Sequence, residues 1–420
     1  MSRKETPQLP LDGLRVVDLT NNVAGPFATL ILADLGATVL KVERPVIGDD
    51  SRHFAPSVDG RSAGFEALNR GKGSISLDLK SKDGKNILKR LMSTADVLVE
   101  SMRPGKLADL GFGPGDVAEF NEDLIYCSVS GFGHTGPMRT TPGYDILIQS
   151  LTGIMDITGA ENGPPVRVGP SIIDIGTGIW AGLTIMVALR NRDLNSETGI
   201  QHLDVSLFDV GVSWMTLPLA QFQMTGIAPQ RLGGRTPLAA PGDIYATSDG
   251  YVTVGILNDR IWEVFVELVQ PDPDLDLTLL TTNKDRVEHV EELTAAMTAV
   301  FRTRTTQEWL ELLEPHGVTI QPVRTVAELV NDAQAIARGL LRPVQHPALG
   351  DQLQVALPFA NSGFSSKDSS PAPDLGQDTL RTMIELGYSK EEINRLCEVG
   401  VIEVTEGARP GSGQEGDPSE

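Results

Sequence analysis

A chain of 420 residues is long enough for two domains, and its share of apolar and charged residues is that of an ordinary folded protein. Its formal charge of −21 argues against nucleic acid or an anionic membrane as a partner. The cysteines, Cys127 and Cys397, supply no disulfide framework and suit a reducing, cytoplasmic setting. The six histidines show neither HxxxH spacing nor a Cys/His cluster, so no metal site is expected.

The first ten residues lack the apolar stretch of a signal peptide. Residues 15–19 read as a short buried strand, 24–35 as a helix with Pro26 in its first turn, and 38–42 as the next strand after a stop at Gly36. This βαβ unit implies a right-handed crossover and a parallel sheet. Basic residues gather from Lys41 to Lys82, which reads either as a solvated face or as a phosphate-binding rim. The alternation continues with a strand at 74–79, a helix at 83–93 and strands at 96–100 and 124–129. Gly131-Phe-Gly133-His-Thr-Gly136 then spells a dinucleotide fingerprint, but Pro137, Pro142 and Gly143 leave no room for a helix opening at the third glycine. Neither a GxSxG elbow nor a phosphate loop occurs.

Tyr144-Asp145 precedes an apolar helix at 146–151, with Asp145 an N-cap or first-turn acid. Residues 168–189 contain a single charged side chain, Asp174, in an apolar run with four glycines. Pro170 and Ser171 mark a turn and 175–189 reads as a buried helix. Asp174 is then near the helix N-terminus, where free N–H groups and the dipole favour an ionised carboxylate. A structural cap and a reactive anion are both open readings. A membrane span has nearly the right length, but the central acid and the lack of flanking basic residues oppose it. If Asp145 and Asp174 face one pocket, one of the two carboxyl groups has its pKa pushed up.

A further element starts at 201–207. Composition changes across 226–242, and an α+β region follows with strands at 244–246 and 251–256 and helices at 260–269, 286–301 and 306–315. The expected fold is α/β, a Rossmann-like large domain with a smaller α+β domain. Its layout is a large domain over 11–210, a linker at 211–240, a small domain at 241–325, a second linker at 326–350, a return to the large domain at 351–402, and a disordered acidic tail at 406–420.

Nine segments carry a resemblance. They are Leu11-Asp-Gly-Leu-Arg-Val-Val-Asp-Leu-Thr20, Ala24-Gly-Pro26, Asp34-Leu-Gly-Ala37 with Lys41-Val-Glu-Arg44, Asn69-Arg-Gly-Lys-Gly-Ser-Ile-Ser-Leu-Asp-Leu-Lys80, Val99-Glu-Ser-Met-Arg-Pro-Gly105, Ser130-Gly-Phe-Gly-His-Thr-Gly-Pro137, Pro142-Gly-Tyr-Asp145, Asp174-Ile-Gly-Thr-Gly178 and Asp204-Val-Ser-Leu-Phe-Asp209. In this order they resemble the class III coenzyme A transferases, the family of formyl-CoA transferase and carnitine CoA-transferase. The resemblance covers residues 11 to 402. It implies that Asp174 is the nucleophile, attacking an acyl-CoA thioester to give a mixed aspartyl anhydride and CoA thiolate, with transfer to a small carboxylic acid. Tyr144 and Asp145 would join it in the catalytic site. The CoA contacts implied are Val23, Ala24, Arg44, Lys72, Leu77, Ser101, Met102 and Arg103, with Arg44 and Arg103 suited to phosphate pairing.

The same resemblance implies an interlocked homodimer, its active site lying between the large domain of one subunit and the small domain of the other. It implies no permanently bound cofactor and no metal, with the CoA thioester as substrate. A racemase branch of the fold carries a histidine where Tyr144 stands; a tyrosine, with an ordinary pKa of about 10, is a poor base, so transfer is favoured over acyl-CoA epimerisation. A non-catalytic acyl-CoA-binding protein would have no need of Asp174. The chain departs from many relatives at Ser101-Met102, where Asn-Phe is common, and at Asp109 and Gly73. It has only Gly233-Gly234 where formyl-CoA transferase has a glycine run, which does not point to oxalate. Arg231, Arg235 and Arg260 read either as partners for the acceptor carboxylate or as surface charge.

Overall fold

Runs rich in Val, Ile and Leu, separated by glycine and Asx turns, become the strands of a seven-stranded sheet in the computed structural model. The structure describes residues 9–195, 199–269, 280–359 and 370–405, and the tail expected at 406–420 lies outside them. Across the sheet the order is Ile402–Glu403, Gly73–Leu77, Thr38–Glu43, Arg15–Leu19, Val97–Glu100, Ile125–Ser130 and Gln201–Ser206. Every pairing is parallel except that of Ile402–Glu403 with Leu77 and Ser76. The strands Val97–Glu100 and Ile125–Ser130 are buried throughout, which is why they read as continuous rather than alternating apolar runs. The chain adds strands outward on one side of Arg15–Leu19, then returns to its other side with Val97–Glu100. The carboxyl ends of these two strands flank the switch point where open α/β sheets hold ligands.

The helix Ala24–Asp34 starts with Pro26 in its first turn and stops before Gly36, whose φ of +110° only glycine adopts easily. It lies beside the 23-residue helix Ile172–Leu194. Glycines make the approach possible. A Cβ on Gly178 would meet the carbonyl oxygen of Ala24 at 2.8 Å and Phe27 at 2.9 Å, and one on Gly182 would touch Ile31 at 3.6 Å. The two helices therefore run side by side in the same direction. Gly178→Ala is expected to force them apart and cost about 1–3 kcal/mol, read as a fall in the unfolding midpoint.

The long helix differs from the expected buried segment at 175–189. It is longer at both ends, and Ile179, Trp180, Leu183 and Val187 are about half exposed or more. The glycines occupy the packed side, so the large apolar residues fall on the other. Apolar content alone does not say which side is covered.

The chain divides into two units, the first built from residues up to 152, 169–215 and from 336, the second from 153–168 and 216–335. The second holds a three-stranded antiparallel sheet in the order Ile320–Pro322, Tyr251–Gly255, Gly242–Ala246. Helices Asp259–Val269, Asn283–Glu288, Val290–Phe301 and Thr306–Leu313 accompany it. Its core is aromatic, with the Phe301 ring 5.0 Å from Tyr245 and 4.9 Å from Trp309.

Three expectations are corrected here. The helix expected at 286–301 is two, broken where His289 leaves helical geometry. The linker expected at 326–350 around one helix contains two short ones, Val326–Leu329 and Ala333–Ala337, and most of a hairpin, Leu341–His346 with Gly350–Val355. Residues 153–168 belong to the second unit, because Arg231 holds Asp156 at 3.1 Å and Arg235 holds Glu161 at 2.6 Å.

Candidate active site

The turn after the first strand is built over buried charge. Asp18 is fully buried and accepts from the backbone and hydroxyl of Thr20, from Thr29 at 2.6 Å and from the Lys72 ammonium at 3.1 Å. Burial opposes its charge, but Lys41, then Lys72, with the Thr20 and Thr29 hydroxyls, hold its pKa down to about 2. Lys41 donates to the Thr20 carbonyl at 2.7 Å and pairs with Asp49 at 2.8 Å. Lys72 has two more acceptors, the Pro26 carbonyl at 3.0 Å and Asn69 Oδ1 at 2.8 Å.

An ammonium has three protons, so Lys72 has none left for a phosphate. Its burial lowers the pKa to about 8 against the pull of Asp18, and it stays charged at neutral pH. The expected CoA contact at Lys72 is thus corrected to a support beneath the turn. Leu77 likewise puts its side chain into the core, 1% exposed.

The other expected CoA residues lie at the carboxyl ends of neighbouring strands. Val23 and Ala24 open the helix Ala24–Asp34, whose first turn has neither an acidic residue nor a side-chain cap, leaving N–H groups free for an anion. Arg44 follows Thr38–Glu43, half exposed, donating twice to the Gly48 carbonyl at 3.1 and 3.3 Å and pairing with Asp50. Ser101, Met102 and Arg103 follow Val97–Glu100. Ser101 Oγ accepts from the Asn21 N–H at 2.9 Å, the Met102 N–H donates to Glu100 at 2.8 Å, and Arg103 is exposed.

Asp174 is the third residue of its helix, and Asp145 the first of helix Asp145–Leu151. Asp145 Oδ2 accepts the N–H of Ile173 at 2.8 Å and that of Asp174 at 3.3 Å, while Oδ1 accepts from Gln149 at 2.6 Å. Asp145, from a separate helix, is therefore the cap of the long helix, and the Asp174 carboxylate is relieved of that duty. Burial, then the negative charge of Asp145, push the Asp174 pKa up to about 7. The helix N-terminus was expected to favour the ionised carboxylate; burial and the neighbouring Asp145 work in the opposite direction. Asp174 also lies on the same helical face as Gly178, one turn earlier. Since Gly178 packs on Ala24 and the helices run alike, Asp174 stands level with the turn before Ala24.

The loop that delivers Tyr144 and Asp145 explains the glycine string. A Cβ on Gly131 would fall 2.8 Å from the Gly143 Cα, and Gly133 and Gly136 have φ of +81° and +80°. These glycines serve a tight loop, and the next helix begins at Asp145. Tyr144 precedes it, 61% exposed, with no side-chain capping bond. In the second unit, Arg231 and Arg235 are the partners of Asp156 and Glu161, and Arg260 is exposed. Among the described residues no group of three or more His, Cys, Asp or Glu is placed to hold a metal ion.

Sequence reasoning missed Asp18, Glu43, Asp49 and Glu100 and read Lys41 only as one end of a basic run, whereas all five are buried. Burial pushes the Glu100 carboxyl up to about 7, although the Met102 N–H and Ser128 hydroxyl favour its charge. The available signal was charge inside strands that are otherwise continuously apolar, as at Asp18 and Lys41.

Comparison with known proteins identifies the family. Residues 11–379 match the family described as CoA-transferase family III. The chain is 36% identical over 397 residues to succinyl-CoA:glutarate CoA-transferase of Mus musculus, covering 94% of this chain and 90% of that protein. It is 38% identical over 373 residues to acetyl-CoA:oxalate CoA-transferase of Acetobacter aceti, covering 88% of this chain and 94% of that protein. The crystal structure of a CAIB/BAIF family protein from Brucella suis superposes with a TM-score of 0.82 at 34% identity, over 90% of this chain and 100% of that one. Matched along nearly its whole length, this chain belongs to CoA-transferase family III and is a CoA-transferase.

Proposed function

We propose that the protein moves CoA from an acyl-CoA donor to a small carboxylic acid through covalent intermediates on Asp174. The observation that carries this reading is a half-buried carboxylate, freed from capping by Asp145 and one helical turn before the glycine that packs on Ala24. The Asp174 carboxylate attacks the thioester carbonyl, the C–S bond breaks, and CoA leaves as thiolate from a mixed anhydride. The thiolate then attacks the aspartyl carbonyl, releasing the donor acid and leaving an aspartyl-CoA thioester. The acceptor carboxylate displaces CoA to form a second anhydride. CoA thiolate takes the acceptor acyl group and returns Asp174 as carboxylate. Anhydrides hydrolyse, so the partial burial of Asp174 also helps to keep water out.

The free N–H groups at Val23 and Ala24, with Arg44 and Arg103, suit the phosphates of CoA. Ser101 and Met102 line the same edge. Succinyl-CoA is the first donor to try, with glutarate and oxalate as acceptors, because the named relatives act on them. A homodimer fits the exposed apolar stripe Ile179, Trp180, Leu183 and Val187, which a second copy would cover; a monomer in sedimentation would remove this part. The cytoplasmic reading rests on the low cysteine content, two in 420 residues, which offers no disulfide framework.

The direct test is incubation with acyl-CoA and hydroxylamine followed by peptide mapping. A hydroxamate on Asp174 is expected. Absence of the adduct with every donor, together with α-proton exchange in a branched acyl-CoA, would instead support the epimerase. The ionised carboxylate is the nucleophile, so kcat/KM is expected to rise with pH through about 7 and then level. A flat profile from pH 5 to 8 contradicts this assignment.

A further inference from the structure

We infer that Asp49 is the positioning residue of the CoA-binding turn, an inference that rests on the CoA site proposed above. Asp49 is fully buried. Its Oδ1 accepts from the Asn22 N–H at 3.1 Å and from the backbone and hydroxyl of Ser51, each at 2.8 Å. Its Oδ2 pairs with Lys41 at 2.8 Å, and its own N–H donates to Glu43 at 3.0 Å. Burial raises its pKa, but Lys41 and these hydrogen bonds outweigh that and hold it below the usual carboxylate range, so it stays ionised.

Asn22 is where this carboxylate acts. Its φ of 68° lies in the left-handed region, which asparagine adopts more readily than other residues with a Cβ, and the bond from its N–H to Asp49 fixes it there. Asn22 directly precedes Val23 and Ala24, so its conformation sets the direction in which their N–H groups point. Asp49 also caps the short turn Asp50–His53, next to the Gly48 carbonyl that receives Arg44. One carboxylate thus ties the helix-start anion site to the loop that orients its cationic partner. From the other side of the switch point Ser101 holds Asn21, so the turn is suspended between two braces. Asp49 itself, without a path to solvent, touches no substrate.

A residue acting through the turn should alter capture of CoA and leave the chemistry of bound substrate alone. Asp49→Asn removes the charge paired with Lys41. Asn22→Ala disfavours the left-handed turn without disturbing any buried charge, and decides the matter if the first variant does not fold. Each is expected to raise KM for acyl-CoA and Kd for CoA by roughly tenfold, with kcat within about twofold of wild type. Folded variants with wild-type KM and Kd, or with a fall in kcat at constant KM, overturn the inference. Wild-type protein that binds no CoA removes the proposed function and this inference together, whereas wild-type binding matched by the variants removes this inference alone.

Discussion

Asp174→Asn is expected to lower CoA transfer by at least about 10⁴-fold while CoA still binds. An amide of the same shape has no charged oxygen to attack a thioester, so the covalent route closes at its first step. The fold should survive, because the helix cap at this point comes from Asp145 and not from Asp174. Stability should even improve at high pH. The folded pKa of about 7 lies above the ordinary value of 3.8, so the fold favours the protonated form. That contribution is complete below about pH 4 and is lost as pH rises through about 7. Wild type therefore gives up stability between pH 6 and pH 8 at this site, and the variant does not. Steady-state kinetics, CoA calorimetry and thermal unfolding at the two pH values check the three statements. Substantial transfer by a folded variant rules out Asp174 as nucleophile.

Asp18→Ala is the substitution with the largest expected effect on the fold, on the order of 3–5 kcal/mol. It leaves two fully buried ammonium groups, Lys41 and Lys72, without the carboxylate that faces both. Denaturant unfolding should show the loss, or the protein should fail to accumulate. The sign with pH is opposite to that of Asp174. The Asp18 pKa of about 2 is below the ordinary 3.8, so its stabilising contribution is present above about pH 4 and disappears as pH falls through about 2. Lys72→Met is the informative companion, since Asp18 keeps Lys41 as a partner. The structure makes Lys72 a support, so its loss should appear in stability before it appears in affinity. A selective rise in KM for CoA with unchanged unfolding would instead place Lys72 on a phosphate.

The two substitutions mark what the sequence could and could not say. The alternating units through Ile125–Ser130 follow from local period and turn residues, and the strands fall within a few residues of their expected positions. The exceptional character of Asp174 also showed in the sequence, as one charge in a long apolar run. Its environment did not. The cap from Asp145 reaches across 28 residues, and the raised pKa depends on a desolvation that no local pattern encodes. The function of Lys72 was misjudged for the same reason: a lysine beside a candidate phosphate site is spelled identically whether its ammonium points outward or into Asp18. In the second unit, the pairing of Asp156 and Glu161 with Arg231 and Arg235 unites stretches that sequence order keeps well apart.

The seam between the Asp174 helix and the helix at Ala24 acts as a fixed ruler. Gly178 meets the main-chain oxygen of Ala24 and the Phe27 side chain, so the spacing from the turn to the nucleophile is set by a close approach that leaves no room for a Cβ. The arm of CoA between its phosphates and its sulfur is equally constant, whatever acid it carries. A scale of unvarying length is thereby matched to a tether of unvarying length. Drift in the choice of acids can then proceed elsewhere in the protein, while exchange of Gly178 for a larger residue miscalibrates every substrate at once.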